Sequence, residues 1–184
     1  MQIHRVKTVG GLVAVAVAAG TVFTGAIASA EPVAAPALSA QASEHKAQLL
    51  EFATNDNRGS FYTLDQDEAE RAQRDHGFKP KSDSAGITMF DEQVDGSIPV
   101  YRLRQKDAFQ SYLLSVNQDE IDGLGDRFVN EGVIGYVLAE QQAGTQPLER
   151  YSNNSDWRVA RKGRVDLLVA GFKDDGPLGY VPLG

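Results

Sequence analysis

One phrase of seven residues constrains this chain more than any other. EGVIGYV at 131–137 returns as DGPLGYV at 175–181, 44 positions later. Self-similarity at a spacing between about 20 and 50 residues marks a supersecondary unit used more than once. A chain built that way has to stack its units, because one unit alone cannot bury both its strand faces and its helix.

The agreement extends upstream of both phrases. IPVYRLR (98–104) and QPLERYS (146–152) each carry Pro, an aliphatic residue, one variable residue and Arg: Pro99, Val100, Tyr101, Arg102 against Pro147, Leu148, Glu149, Arg150. Proline suits the first position of a strand, where its missing N–H faces solvent. A more worn copy precedes them. LLEFA (49–53) stands for the Pro-aliphatic strand, SFYT (60–63) for a second strand, and AGITMF (85–90) for the Gly-Tyr-Val ending. The second strand of the other copies falls in QSYLLSVN (110–117) and SDWRVARK (155–162).

A short helix follows each second strand. DQDE (65–68) and NQDE (117–120) place an N-cap residue three positions before a Glu, the capping-box pattern that satisfies the free N–H groups of a first turn. The third copy lacks the cap, so its helix is expected to rely on burying Val165, Leu168, Val169 and Phe172. Gly77 and Gly171 suit the turns that end two of the helices. Gly135 and Gly179 predict a close approach of another backbone or ring. The expected class is therefore α+β, mainly β: three pseudo-equivalent strand–strand–short helix–strand repeats (about 48–97, 98–145 and 146–184) packed around one core.

Residues 1–30 read as a secretory signal peptide. Arg5 and Lys7 precede an apolar run, and Ala28-Ser29-Ala30 forms a small-residue cleavage site. Residues 31–47 follow as a flexible Ala/Pro-rich lead-in. The protein is expected to be secreted, with cleavage after Ala30, and to have no membrane association afterwards. There is no cysteine, so the domain must stand without disulfides. Removing Arg5 and Lys7 from 18 basic residues leaves 16 against 25 acidic ones, a net charge of −9. That balance, without a basic cluster, argues against nucleic acid and anionic lipid as partners.

The assembled motifs, PVYR, FYT with Glu68, HGF, EGVIGYV, PLERY, AGF and DGPLGYV, are similar to those of the secreted repeat family catalogued as domain of unknown function 5648, over about residues 48 to 182. The resemblance implies an extracellular accessory or binding module, of a kind often attached to a peptidase, lipase or other hydrolase. It brings no catalytic residue with it.

The residues agree with a non-catalytic role. A nucleophile needs a base beside it, and after the leader the histidines are His45, in the lead-in, and His76, at a helix end. Neither a Gly-x-Ser-x-Gly elbow nor a His-Glu-x-x-His helix occurs. No metal and no cofactor are expected. TNDNRGS and DEQVDG read as turns rather than calcium loops, because Arg58 and Arg102 stand where a ligand would. Asn153-Asn154-Ser155 fits a glycosylation acceptor. Paired carboxylates from Asp65, Asp67, Glu68, Asp91, Glu92, Asp119, Glu120 and Glu131 could cleave a glycosidic bond, though several serve equally as caps.

Aromatic residues are the remaining candidates. Tyr62 and Trp157 fall on second strands, with Tyr112, at or next to equivalent places. Tyr101 and Tyr151 sit beside Arg102 and Arg150. Two readings stay open for the six candidates Tyr62, Tyr101, Arg102, Arg150, Tyr151 and Trp157. Either rings and guanidinium groups line a site that stacks on sugar rings, or the rings fill the core and the arginines pair with Asp or Glu. The first makes the protein a secreted module binding cell-wall or environmental carbohydrate, with a secreted hydrolase as the other expected partner. The alternatives are a small carboxylate-dependent hydrolase and a protein–protein partner or inhibitor.

Overall fold

The computed structural model describes residues 44–54, 58–81, 86–106, 110–154 and 156–183. The signal-peptide reading, most of the lead-in and Ser155 of the glycosylation motif lie outside the described residues. Strands dominate. In chain order the elements are β1 (Ala47–Gln48), β2 (Leu50–Ala53), β3 (Ser60–Thr63), α1 (Gln66–His76), β4 (Lys79–Pro80) and β5 (Thr88–Met89). Next come β6 (Ser97–Gln105), β7 (Tyr112–Ser115), α2 (Gln118–Gly123) and β8 (Phe128–Leu138). The last are β9 (Thr145–Asn153), β10 (Asp156–Arg161), α3 (Val165–Val169) and β11 (Lys173–Pro182). The protein is α+β and mainly β.

Every pairing is antiparallel. One six-stranded sheet runs β10-β9-β11-β8-β6-β7, a three-stranded sheet runs β3-β2-β4, and β1 pairs β5. Register aligns three hairpins: Glu51 faces Tyr62, Arg102 faces Leu114 and Arg150 faces Val159. It also aligns three closing strands, with Ala47 on Met89, Ile98 on Val137 and Gln146 on Val181. In the worn ending AGITMF, Met89 thus stands where Val137 and Val181 stand. Phe90 matches Leu138 instead, one residue further along than the spacing alone suggests.

The main core draws on the same places of each stretch. Leu49, Val100 and Leu148 come from the first strands or their approach, Tyr62, Leu114 and Val159 from the second, and Met89, Val137 and Val181 from the closing strands. Each such side chain fully buried is worth roughly 1.5–3 kcal/mol relative to exposure. Satellite clusters lie outside it, notably Phe52, Phe61, Ala69, Ala72, Phe78 and Tyr112 beneath α1.

The repeated phrase has two backbone reasons. Its acid and first glycine form a bulge: register skips between Tyr101 and Leu103 opposite Glu131-Gly132, and between Asp174 and Gly176. Gly132 and Gly176 take φ of +100° and +96°, which side chains disfavour. The second glycine is the predicted close approach. A Cβ at Gly135 would lie 2.9 Å from the Phe90 carbonyl oxygen, and one at Gly179 2.7 Å from that of Leu138.

Three expectations change. Pro99 and Pro147 are third in β6 and β9, not first; β7 and β10 pair only beyond them, so the missing N–H costs no ladder bond on that side. The end of the lead-in is structured, with Ala47 paired to Met89 and His45 beside Asp91 and Glu92 at 3.9 and 3.6 Å. The third helix does not bury Val165, Leu168 and Val169. In α3, five residues long, Leu167 is the residue turned inward, onto Tyr151 and Ala160 with Phe172 half-buried beside it. Val169 is 82% exposed. With little more than one turn, an apolar spacing cannot select the buried face.

Candidate functional site

The site grows from the helix starts. Asp65 and Asn117 cap α1 and α2, each side chain accepting from two first-turn N–H groups. The returning half of the capping box is absent. The Asp65 N–H donates to Thr63 Oγ1 (3.0 Å) and that of Asn117 to Ser115 Oγ (3.1 Å), so Glu68 and Glu120 are released from the cap.

Both glutamates turn to an arginine on the next hairpin. Arg102 forks onto Glu68 through Nη1 and Nη2 (2.9 and 2.7 Å), donates from Nε to Glu131 (2.9 Å) and from Nη1 to the Tyr62 carbonyl (2.8 Å). Arg150 does the same with Glu120 (2.8 and 2.8 Å), Asp175 (3.2 Å) and the Leu114 carbonyl (3.1 Å). Ser115 donates to Glu120 (2.6 Å). The bulge is what presents Glu131 and Asp175 to these guanidinium groups. Such bidentate pairing suits arginine's planar fork.

The charges respond. Partial burial pushes Glu68 and Glu120 upward, but the hydrogen bonds from their arginines, and from Thr63 and Ser115, outweigh it and hold both carboxyls below the usual range. Burial likewise works against Arg102 and Arg150, and their carboxylate partners overcome it. Tyr112 is pushed up to about 12 by burial and then by the charge of Glu131.

Two clefts touch each cluster, and they correspond. One of about 440 Å³ by Arg102 is lined by Thr63, Leu64, Asp65, Val133 and Ile134; one of about 230 Å³ by Arg150 has Ser115, Val116, Asn117, Pro177 and Leu178. A second by Arg102, about 300 Å³, is floored by Phe61, Phe78 and Tyr112, and a second by Arg150, about 360 Å³, by Leu113, Phe128 and Trp157. By register Tyr112 and Trp157 occupy the same place, opposite Arg104 and Ser152.

At Glu51, the place matching Arg102 and Arg150, the chemistry differs. The Tyr62 hydroxyl lies 3.2 Å from Glu51 Oε1 and from the Trp157 carbonyl, and accepts the Val159 N–H at 3.2 Å. Lys81 stands 3.5 Å from Glu51 and donates to Ser60 Oγ at 2.7 Å. On α3 the first-turn acid Asp166 binds its neighbour Arg164 instead.

Of the six candidates, Tyr62 and Tyr151 are buried to 0% and 1% exposure, so neither ring offers a face for stacking. Tyr151 donates to the buried Glu149 at 3.0 Å. Arg102 and Arg150 are ion-paired, as the second reading had it. Tyr101 and Trp157 are half-buried against Leu103, Leu113, Ile121 and Phe128. Trp157 and Arg150 share a cleft. The reading passed over Asp175, Arg127 and Phe128; the recurring acid-Gly pair was a signal for the first. Among the described residues no group of three or more His, Asp or Glu could hold a metal ion, and no helix is long and apolar enough to cross a membrane.

Comparison with known families gives a match over residues 48–182 to the family described as Domain of unknown function (DUF5648). No curated protein and no solved structure matches.

Proposed function

The chain belongs to the family of domain of unknown function 5648, and from that membership we propose a secreted, non-catalytic module of three strand–strand–short helix–strand repeats that binds extracellular carbohydrate. The aligned registers and the matching core positions support the repeat reading. Each arginine then fastens one repeat to the helix of the repeat before it, and the third junction is made by the Tyr62 hydroxyl, which meets the Trp157 carbonyl and the Val159 N–H.

One observation carries the binding role: the aromatic-floored cleft occurs twice, beside Arg102 and beside Arg150, with corresponding walls. Core packing alone does not call for two like concavities edged by charged groups, whereas stacking on pyranose rings does. The ion pairs shape the clefts and fix their walls. A carboxylate-dependent hydrolase fits less well, because a general acid needs a raised pKa and Glu68 and Glu120 are held low.

Retention of the purified protein on insoluble cell-wall polysaccharide and on a glycan array tests this. Binding that falls at least tenfold in Trp157→Ala is expected. Retention no higher than that of an unrelated acidic protein on every glycan overturns the proposal.

A further inference from the structure

Among the described residues most arginines are matched by an acid. Arg71, Arg74, Arg102, Arg104, Arg150, Arg158 and Arg164 each lie within 4.0 Å of a carboxylate. Arg127 does not. It is exposed, and its guanidinium makes a single side-chain contact among the described residues, with the Phe128 ring at 5.9 Å. Its backbone is nonetheless fixed, the N–H donating to Leu124 and the carbonyl accepting from Lys106, each at 2.9 Å. Arg161 also stands without a carboxylate within 4.0 Å, but it donates to the Gly86 carbonyl, whereas Arg127 has neither an acid nor a side-chain hydrogen bond among the described residues.

Its place adds the second observation. Arg127 lines the cleft of about 360 Å³ that Trp157 and Phe128 floor, a volume within the roughly 300–1,000 Å³ of small-ligand sites. The cleft's own carboxylates are occupied, Glu120 by Arg150 and Asp175 by Arg150 and Ser152. The open valence of the site is therefore a planar cation lining the same cleft as an indole. A guanidinium fork fits a carboxylate in two parallel hydrogen bonds, while an aromatic face fits a sugar ring.

Resting on the carbohydrate reading above, we infer that this cleft takes a carboxylate-bearing sugar, a uronic acid residue of an acidic polysaccharide, with Arg127 on the carboxylate and Trp157 against the ring. The protein's negative charge does not forbid it, since charges beyond about 8 Å are screened at physiological salt.

Trp157 is the chain's only tryptophan, so its fluorescence reports this cleft directly. The full chain is titrated with trigalacturonate, with its methyl ester, which keeps the rings and removes the charge, and with a neutral glucan trisaccharide. Trigalacturonate is expected to perturb the emission at a concentration at least tenfold below the other two. Arg127→Gln should erase that preference while leaving the melting temperature unchanged. Equal response to acid and ester overturns the assignment of Arg127 and leaves the carbohydrate reading standing. Calorimetric binding of any of the three with Trp157 silent overturns this cleft as the site. Failure of all three in this assay, with glycan-array binding elsewhere, refutes the uronate class; failure on the array too removes the broader reading.

Discussion

Arg102 and Glu51 occupy the same position in their hairpins, each opposite the middle of the neighbouring strand, yet they solve it with opposite charges. Around Arg102 a buried cation, 7% exposed, is matched by Glu68 and Glu131 reaching in from two other elements. Around Glu51 a buried anion is matched by a tyrosine hydroxyl and, more distantly, by Lys81. The Arg150 cluster copies the first arrangement. The lesson is that this place in the fold demands a polar crosslink between neighbouring elements, and that the sign of its charge is free so long as every lone pair and proton finds a partner.

The sharpest way to break the comparison is Arg102→Met. It strands Glu68 and the Tyr62 carbonyl and leaves Glu131 to Arg104 alone, and should cost about 3 kcal/mol, since removing one partner of a largely buried pair is far worse than removing both. Urea unfolding measures it; a loss below about 1 kcal/mol means the cluster is ornament. The same variant carries a pH signature. Glu68 is held below its unfolded value of about 4.3, so its contribution is present above that pH and disappears as acid titrates it through the lower folded value. Arg102→Met should flatten that acid limb of the stability curve.

Next in size is Gly179→Ala. The new methyl would meet the Leu138 carbonyl at 2.7 Å and the Val137 side chain at 2.5 Å, on a backbone with φ of +151°. A loss of about 2 kcal/mol is expected from overpacking, read as a lowered melting temperature. An unchanged melting temperature would mean that β8 and β11 can part freely at this bridge.

Tyr62→Phe tests the Glu51 side alone. Removing the hydroxyl leaves the Val159 N–H without a partner and Glu51 with the more distant Lys81 alone, for roughly 1–2 kcal/mol. Should this variant prove more damaging than Arg102→Met, the two crosslinks are not interchangeable solutions. The smallest effect belongs to Asp65→Ala. It deletes the cap of α1 at about 1 kcal/mol while leaving the Glu68–Arg102 fork in place, and helix loss by circular dichroism should be confined to a few residues.

Much of the architecture was legible because recurring residues serve recurring geometry. Gly135 and Gly179 foretold a backbone contact, and the caps at Asp65 and Asn117 foretold two helix starts. The ion clusters were half legible. Arg102 with Arg150, Glu68 with Glu120, and Glu131 with Asp175 all recur, but Glu68 and Glu120 also satisfy the local capping pattern, and a local explanation hides a distant partner. Glu51 could not be read, because a hairpin register places it where the other hairpins have arginine. Nor could the burial of Tyr62 and Tyr151, since strand alternation says which residues share a face and not which face looks inward. Arg127 escaped for a plainer reason: an unpaired charge shows only once all the pairs are known.

The Tyr62 hydroxyl meets the Val159 amide across 97 positions of chain. The middle of the molecule therefore stays open until its last hairpin is delivered, and contacts of such long span make assembly slow. A chain cut after residue 144 would be no smaller version of this protein. It would be an unfinished one, with its central tyrosine facing water.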